Sequence, residues 1–154
     1  MVGEPPTTGV QTQIKNQLTA NQMLLSSPFD LQLTESIVSL DSDKQKKELY
    51  DLVNFVQPGF IREKTVQIGS YFGIYSGKKL IAASGERIKM NSFTEVSAVV
   101  TLPDFQKSGY AQQFLKKATD TIFSENKTPI IQVDKNNVHE INPIERLGFV
   151  TREK

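Results

Sequence analysis

The chain lacks cysteine and tryptophan, and it has a single histidine, His139, among its 154 residues. Without cysteine there is no disulfide framework, no thiolate nucleophile and no cysteine-based metal site. One histidine also excludes a zinc site built from several imidazoles. The sequence therefore predicts that no metal is bound and that other residue types carry the chemistry.

Long apolar runs and an excess of one charge are also missing. No apolar stretch approaches the length of about 18 residues that spans a membrane. Eighteen Lys and Arg against seventeen Asp and Glu give a net charge of +1, which argues against binding to nucleic acid or membranes by charge alone. Residues 1–10 lack the charged start and apolar core of a signal peptide. We therefore expect a cytoplasmic protein.

A chain of this length is expected to form one domain with a substantial core. Residues 1–13 are rich in Pro, Gly, Thr and Gln, which predicts a mobile N-terminal segment followed by a single domain over 14–154. Residues 23–25 form a short apolar patch. Alternating apolar and polar residues at 29–33 predict an edge strand.

The first helix is expected to begin near Ser42, because Ser42 and Gln45 have the spacing of a capping box. Its apolar residues repeat with helical spacing and are Leu49, Leu52, Val53 and Val56. The sequence Gln-Pro-Gly at 57–59 is expected to end this helix.

Strands are predicted near residues 70–76, 79–89 and 93–101, with a tight turn at Ser76 and Gly77 between the first two. A helix with one apolar side follows, and then a short strand at 129–133. The last helix is interrupted by Pro143, so it is either kinked there or begins at Asn142. Residues 149 and 150 begin a final strand. This order of elements predicts an α/β protein with a mixed sheet.

Residues 95–111, EVSAVVTLPDFQKSGYA, are the most informative stretch. An apolar strand leads through a proline-marked turn into a glycine-containing loop that opens a helix. Unpaired backbone N–H groups and the helix dipole make such a turn suitable for a phosphate. The residues that would supply these amides are Gln106, Lys107, Ser108, Gly109, Tyr110 and Ala111. Many strand-to-helix turns with a glycine bind nothing, so the loop alone leaves both interpretations open; Lys107 likewise either contacts a phosphate or is only solvated.

The loop resembles the Q/R-x-x-G-x-G/A pyrophosphate loop of the GNAT superfamily of acyl-CoA N-acyltransferases. The hairpin strands at 71–75 and 77–82, and the strand at 95–99, are similar to strands of that family. Gly-Glu-Arg at 85–87 matches one branch, and Asn137 with Leu-Gly-Phe at 147–149 matches the ends of an N-x-x-A-x-x-L-Y-x-x-L-G-F pattern. The similarity covers residues 57–150 well and residues 20–56 loosely. The chain is identified as a GNAT member on these residues.

The resemblance implies a central sheet that splays open beside residues 95–101, with acetyl-CoA as the co-substrate. It implies acetyl transfer by direct attack of a primary amine in a ternary complex, in a monomer or a homodimer. The acceptor would be a small molecule or a peptide, bound near residues 26–40 and 57–69. Backbone groups of Val99, Val100 and Thr101 would pair with the pantetheine arm, and the Val100 amide would stabilise the oxyanion. Alternatively, these residues are only sheet core, and Asn137 is either a cofactor contact or a loop or helix cap.

Two glutamates are candidates for the base that deprotonates the amine. Glu95 lies eleven residues before Gln106, the spacing at which histone-acetylating GNAT members hold their glutamate base, and its apolar neighbours would raise its pKa. The alternative is an exposed glutamate on a half-buried strand. Glu86 is the second candidate, although an ion pair with Arg87 or a structural role is the alternative for it.

Ile144 marks the main departure from the family. Members usually have a tyrosine three residues before Leu-Gly-Phe, whose hydroxyl can protonate the departing thiolate, and isoleucine cannot donate a proton. His139 is a candidate to replace the tyrosine as the acid, although a lone surface histidine is usually only solvated. Tyr110 is expected to lie too far from the sulfur. Three hypotheses therefore remain: an enzyme without this acid, a catalytically impaired acyl-CoA-binding or interaction domain, and a member that binds nothing. The short C-terminus, which leaves little room for the last hairpin, motivates the third.

Overall fold

The chain forms both helices and strands, as the sequence predicts for an α/β protein. The structure, a computed structural model, describes residues 19–59, 61–97 and 99–152, so the expected mobile segment at 1–13 lies outside the described residues. The strands are β1 Ala20–Leu24, β2 Val38–Ser39, β3 Ser70–Ser76, β4 Lys79–Lys89, β5 Phe93–Val96, β6 Val100–Thr101, β7 Thr128–Asp134 and β8 Val150–Thr151. The helices are α1 Asp43–Val56, α2 Thr65–Ile68, α3 Tyr110–Ser124 and α4 Val138–Arg146, with a 3₁₀ turn at Pro103–Phe105.

Local signals in the sequence set several of these boundaries. The Ser42 hydroxyl accepts the Gln45 amide at 3.2 Å, and the Gln45 side chain accepts the Ser42 amide at 3.0 Å, which confirms the capping box. Gly77, with a φ of 60°, makes the tight turn between β3 and β4. Helix α4 runs through Pro143 rather than starting at Asn142. The strand predicted at 93–101 is interrupted between Val96 and Val100.

A single sheet has the order β2-β3-β4-β5-β7-β1-β8, and β6 also pairs with β4. β5 and β7 are parallel, whereas the other pairs are antiparallel. The prediction of an edge strand at residues 29–33 is wrong, because these residues lie outside the strands. The strand forms instead at β1, where the fully buried Met23 packs between β7 and β8.

Helix α1 and helix α3 each cover apolar side chains of the sheet. The α1 cluster contains Leu49, Leu52 and Val53 together with residues of β3, β4 and β6. The α3 cluster contains Leu115, Ala118 and Ile122 together with residues of β1, β5, β7 and α4. The burial of these side chains provides the main stabilisation of the sheet and fixes the start of α3 relative to β5 and β6.

Residues 25–37 form a strap that connects β1 to β2. Because β3, β4, β5 and β7 lie between those two strands, the strap must cross most of the sheet. Its hydrogen bonds to Gln113 and Lys116 hold it against α3, and Phe29 of the strap packs against the α3 cluster. Gln113 accepts the Thr34 amide at 2.9 Å and donates to the Gln32 carbonyl at 3.1 Å, and Lys116 donates to the Phe29 carbonyl at 2.7 Å. The strap leaves Gln113 only 8% exposed, although a position on the outer side of a helix is ordinarily solvated.

Replacing Gln113 with leucine is expected to lower the free energy of unfolding by about 1–3 kcal/mol, because the strap amides would lose a buried acceptor. Hydrogen exchange of the Thr34 and Glu35 amides, both of which bond to the Gln113 side chain, should accelerate. The control is Gln112→Leu, at the neighbouring exposed position. Equal exchange rates in the two variants would show that Gln113 does not hold the strap.

Candidate active site

The sheet opens into a gap after Val96, the residue that follows Glu95. Pairing between β5 and β7 begins at Phe93↔Thr128 and ends at Val96↔Ile131. Beyond that point β6 pairs with β4, whereas β7 continues along β1 to Asp134. Within the described residues no strand pairs with the β7-facing edge of β6. This is the splayed sheet that the resemblance implies, and it leaves backbone groups available for an extended ligand.

The register of β6 corrects the predicted oxyanion donor. Leu102 donates its amide to the Ile81 carbonyl of β4 at 2.9 Å. Amides alternate in direction along a strand, so Val100, which is opposite Ala83, also donates towards β4. The Val100 amide therefore cannot serve as the oxyanion donor. By the same alternation, the Thr101 amide points into the gap.

The predicted phosphate loop lies at the N-terminus of α3. Gly109 is the N-cap residue with a φ of 77°, and Lys107 has a φ of 63°. Among the described residues, no side chain caps this end of the helix, so its first amides are open to a ligand. A Cβ at Gly109 would meet no atom of the described part of the chain within 4 Å, which leaves space beside its backbone. Gln106, Ser108 and Ala111 are exposed around it.

Glu95 is a buried carboxylate at the base of the gap. Glu95 is only 3% exposed, and Nη1 of Arg87 lies 3.6 Å from Oε1 of Glu95. Burial raises the pKa of the Glu95 carboxyl, and the positive charge of Arg87 opposes part of that rise. The prediction of a raised pKa is confirmed in direction, and the alternative of an exposed glutamate is wrong. A buried carboxyl with a raised pKa is suited to accepting a proton near neutral pH.

Glu86 does not share this site. Glu86 is opposite Val96 in the register, whereas Ile88 is opposite Glu95, so Arg87 is an extra residue that forms a β-bulge. The bulge leaves Glu86 on the α3 side of the sheet with Val96, while Glu95 and Ile88 face the other side. The proposed ion pair between Glu86 and Arg87 is also wrong, because Lys89 Nζ lies 2.6 Å from Glu86 Oε2.

Tyr71 and Gly85 complete the face that Glu95 occupies. They are paired in the register of β3 and β4, and a Cβ at Gly85 would overlap the Tyr71 ring and lie 2.6 Å from the Ser70 carbonyl. The glycine therefore allows the ring to lie flat on the sheet. Burial raises the pKa of the Tyr71 hydroxyl, and the nearby charge of Arg87 lowers it in part. The position of Arg87 beside Glu95 was not predictable, because a bulge is not visible in the alternation of residues.

The three C-terminal residues that the sequence analysis considers, Ile144, Asn137 and His139, lie in three different environments. Ile144 is buried in the cluster that includes Val96 and Leu115, and it offers no proton donor. Asn137 is the N-cap residue of α4, but its side chain donates to Glu140 Oε2 at 2.9 Å instead of capping the helix. His139 is exposed.

An open cleft of about 440 Å³ lies elsewhere, between α1 and the start of β4, and is lined by residues that include Phe55, Lys79 and Leu102. It is at the opposite end of β4 from Arg87. In the described parts of the chain, no group of three His, Cys, Asp or Glu side chains could hold a metal ion. None of the described helices is long and apolar enough to cross a membrane.

Comparison with known proteins identifies the family of the chain. The FR47-like protein family matches residues 71–154. A GNAT-family protein from Novosphingobium aromaticivorans is 25% identical with a TM-score of 0.88; the match covers 97% of this chain and 67% of that one. No curated protein sequence matches the chain.

Two further structures are similar in fold. The ribosomal-protein-S18-alanine N-acetyltransferase from Escherichia coli has a TM-score of 0.66 at 19% identity, with coverage of 78% of this chain and 80% of that one. The aminoglycoside N-acetyltransferase AAC(6')-Iy, in complex with CoA, has a TM-score of 0.62 at 15% identity, with coverage of 77% and 94%. The family match spans more than half of the chain, and the splayed sheet and α3 loop agree with it. The chain therefore belongs to the FR47-like family of the GNAT superfamily.

Proposed function

We propose that this protein is an N-acetyltransferase that moves an acetyl group from acetyl-CoA to a primary amine by direct attack. The observation that carries the proposal is the free edge of β6, which opens next to the buried Glu95 and leads to the uncapped start of α3. The similar aminoglycoside enzyme contains CoA, which supports the choice of cofactor.

The residues present fit acetyl-CoA at three points. The Val99 and Thr101 backbone would pair with the pantetheine arm, and the amides from Lys107 to Ala111 would hold the pyrophosphate. The Gln106 amide, which the sequence also predicts as a donor, is instead bonded to the Pro103 carbonyl at 3.3 Å. The free space beside Gly109 would admit the phosphate oxygens. The cofactor supplies an activated thioester when it is bound, and the Thr101 amide would stabilise the developing oxyanion.

Glu95 would accept the proton that the amine loses, directly or through a water molecule. The lone pair of the acceptor nitrogen forms the new N–C bond, the C–S bond breaks, and its electron pair leaves with the sulfur. A thiol has a pKa near about 8.5, so the thiolate is a fair leaving group without a protein acid. Ile144 does not protonate it, and the mechanism does not need a replacement.

Replacing Gly109 with alanine is expected to weaken acetyl-CoA binding by roughly tenfold or more, because the new Cβ would occupy the space beside the phosphates. Gly59→Ala is the matched control, since Gly59 has the same φ of 77° and equally open surroundings. Both variants should lose a similar amount of stability, about 1–2 kcal/mol, from the left-handed backbone. Calorimetric titration with acetyl-CoA and with a phosphate-free analogue measures the difference.

Equal acetyl-CoA affinity in the Gly109 and Gly59 variants would contradict the phosphate role of the loop.

The buried Ile144 favours one other function, a catalytically impaired domain that binds acyl-CoA without transferring the acyl group. Tight acetyl-CoA binding without thiol release, across a panel of amines, would establish that second function.

A further inference from the structure

Arg87, which lies beside Glu95, is at the same end of the β3–β4 hairpin as two exposed isoleucines. Ile88 is directly opposite Glu95 in the β4–β5 register, so the two side chains share a face, and Ile88 is 41% exposed. Ile68 is 86% exposed and precedes Gly69, where a Cβ would lie 3.1 Å from the Glu86 carbonyl. Both isoleucines therefore lie at the same end of the β3–β4 hairpin as Glu95.

Arg87 supplies the positive charge. Its side chain is 60% exposed, and Glu95 is the one ion partner recorded for it among the described residues. The 3.6 Å separation is longer than a hydrogen bond, so this contact occupies none of the five N–H donors that the guanidinium offers to a ligand. A guanidinium binds a carboxylate through two parallel hydrogen bonds.

We propose that the acceptor is a small amine that carries a carboxylate next to its amino group and an apolar side chain, as in a free hydrophobic α-amino acid. Arg87 binds the carboxylate, Glu95 receives the proton from the amino group, and Ile88 and Ile68 contact the apolar part. This inference rests on the proposed acetyl transfer. It names the acceptor, which the family and fold do not.

The spacing of the two charged side chains suits such an acceptor. Glu95 and Arg87 are 3.6 Å apart, and one carbon atom separates the amino nitrogen of an α-amino acid from its carboxylate. Arg87 would lie between the two carboxylates and reduce their repulsion. Its charge also disfavours an ammonium beside it, so it favours the neutral amine that attacks. A polycationic acceptor meets the same repulsion at every amino group and gains nothing from Arg87.

The test compares leucine, leucinamide and spermidine as acceptors at saturating acetyl-CoA, with release of the CoA thiol as the readout. We expect kcat/KM for leucine to exceed that for leucinamide by roughly 10- to 100-fold, the value of a charge-assisted pair. The amino group of leucinamide is less basic than that of leucine, so a larger fraction of leucinamide is free amine at neutral pH. A preference for leucine therefore cannot arise from amine basicity.

Arg87→Gln should remove this preference, and Arg87→Lys should restore part of it because a lysine keeps the charge without the planar fork. Lys89→Gln is the matched control. Lys89 is two residues along the same strand, but it pairs with Glu86 on the other face, so its loss should leave the leucine-to-leucinamide ratio unchanged.

Acetylation of leucinamide or spermidine at least as efficiently as leucine would overturn the inference and leave the acetyltransferase function intact. Absence of acetyl-CoA binding would instead refute the proposed function. If acetyl-CoA binds and no amine is acetylated, titration of leucine and leucinamide into the protein–CoA complex decides the question. Equal affinities would then overturn the role of Arg87, and a weaker affinity for leucinamide that disappears in Arg87→Gln would support it.

Discussion

Glu95→Gln is expected to lower kcat/KM for acetyl transfer at pH 7 by about 10²–10⁴-fold, because the amine would lose its proton acceptor. Wild-type activity should rise with pH through the raised pKa of the Glu95 carboxyl. The loss in the variant should shrink at high pH, where more of the acceptor is already a free amine. A pH–rate profile of both proteins measures the effect, and an unchanged profile would remove Glu95 from the role of base.

The same substitution separates a base from a structural carboxylate. Burial raises the pKa of folded Glu95 above its ordinary value of 4.5, so the unfolded chain releases this proton more readily. Protonated Glu95 therefore stabilises the folded protein at a pH below the ordinary pKa. This stabilisation is lost as the pH rises through the raised pKa of the folded state. The melting temperature of Glu95→Gln relative to wild type should therefore increase with pH. A large fall in melting temperature at neutral pH would instead assign Glu95 a structural ion pair with Arg87.

Met23→Ala should destabilise the protein by about 2–5 kcal/mol, since Met23 is fully buried between strands from the other end of the chain. The result would show that β1 is an integral strand of the sheet. Urea unfolding followed by circular dichroism measures the change, and the slope of the transition should stay near its wild-type value.

Leu24→Ala is the matched control for this prediction. Leu24 is the next residue of β1, so its side chain points to the opposite face, and it is only partly buried. We expect a clearly smaller loss for it. Equal losses at the two positions, or a loss below about 1 kcal/mol at Met23, would mean that β1 contributes little to the sheet.

Local chemistry in the sequence predicted the parts of the fold that depend on neighbours in the chain. Ser42 and Gln45 define the start of α1 because a capping box needs only four consecutive residues. The turn at Gly77 and the glycine at the start of α3 likewise follow from backbone conformations that favour glycine. The loop and the strand before it were thus recognisable as a candidate cofactor site.

Features that depend on distant partners were not predictable. β1 pairs with residues more than 100 positions away, and nothing in its five residues identifies them. The bulge at Arg87 reverses which side chains of β4 face Glu95, and it arises from the register of two strands rather than from either sequence alone. That reversal removed Glu86 from the site and placed Arg87 and Ile88 in it.

The position of β1 also governs when the protein can complete its fold. β1 leaves the ribosome before every other described strand, yet both of its neighbours, β7 and β8, are made after all the rest. Its edges stay unpaired during that interval, which exposes it to pairing with other chains. Such distant contacts also slow folding, because a long loop must close before they form. A nascent chain halted before Thr128 would hold the loop at 106–111 but lack both strands that β1 needs.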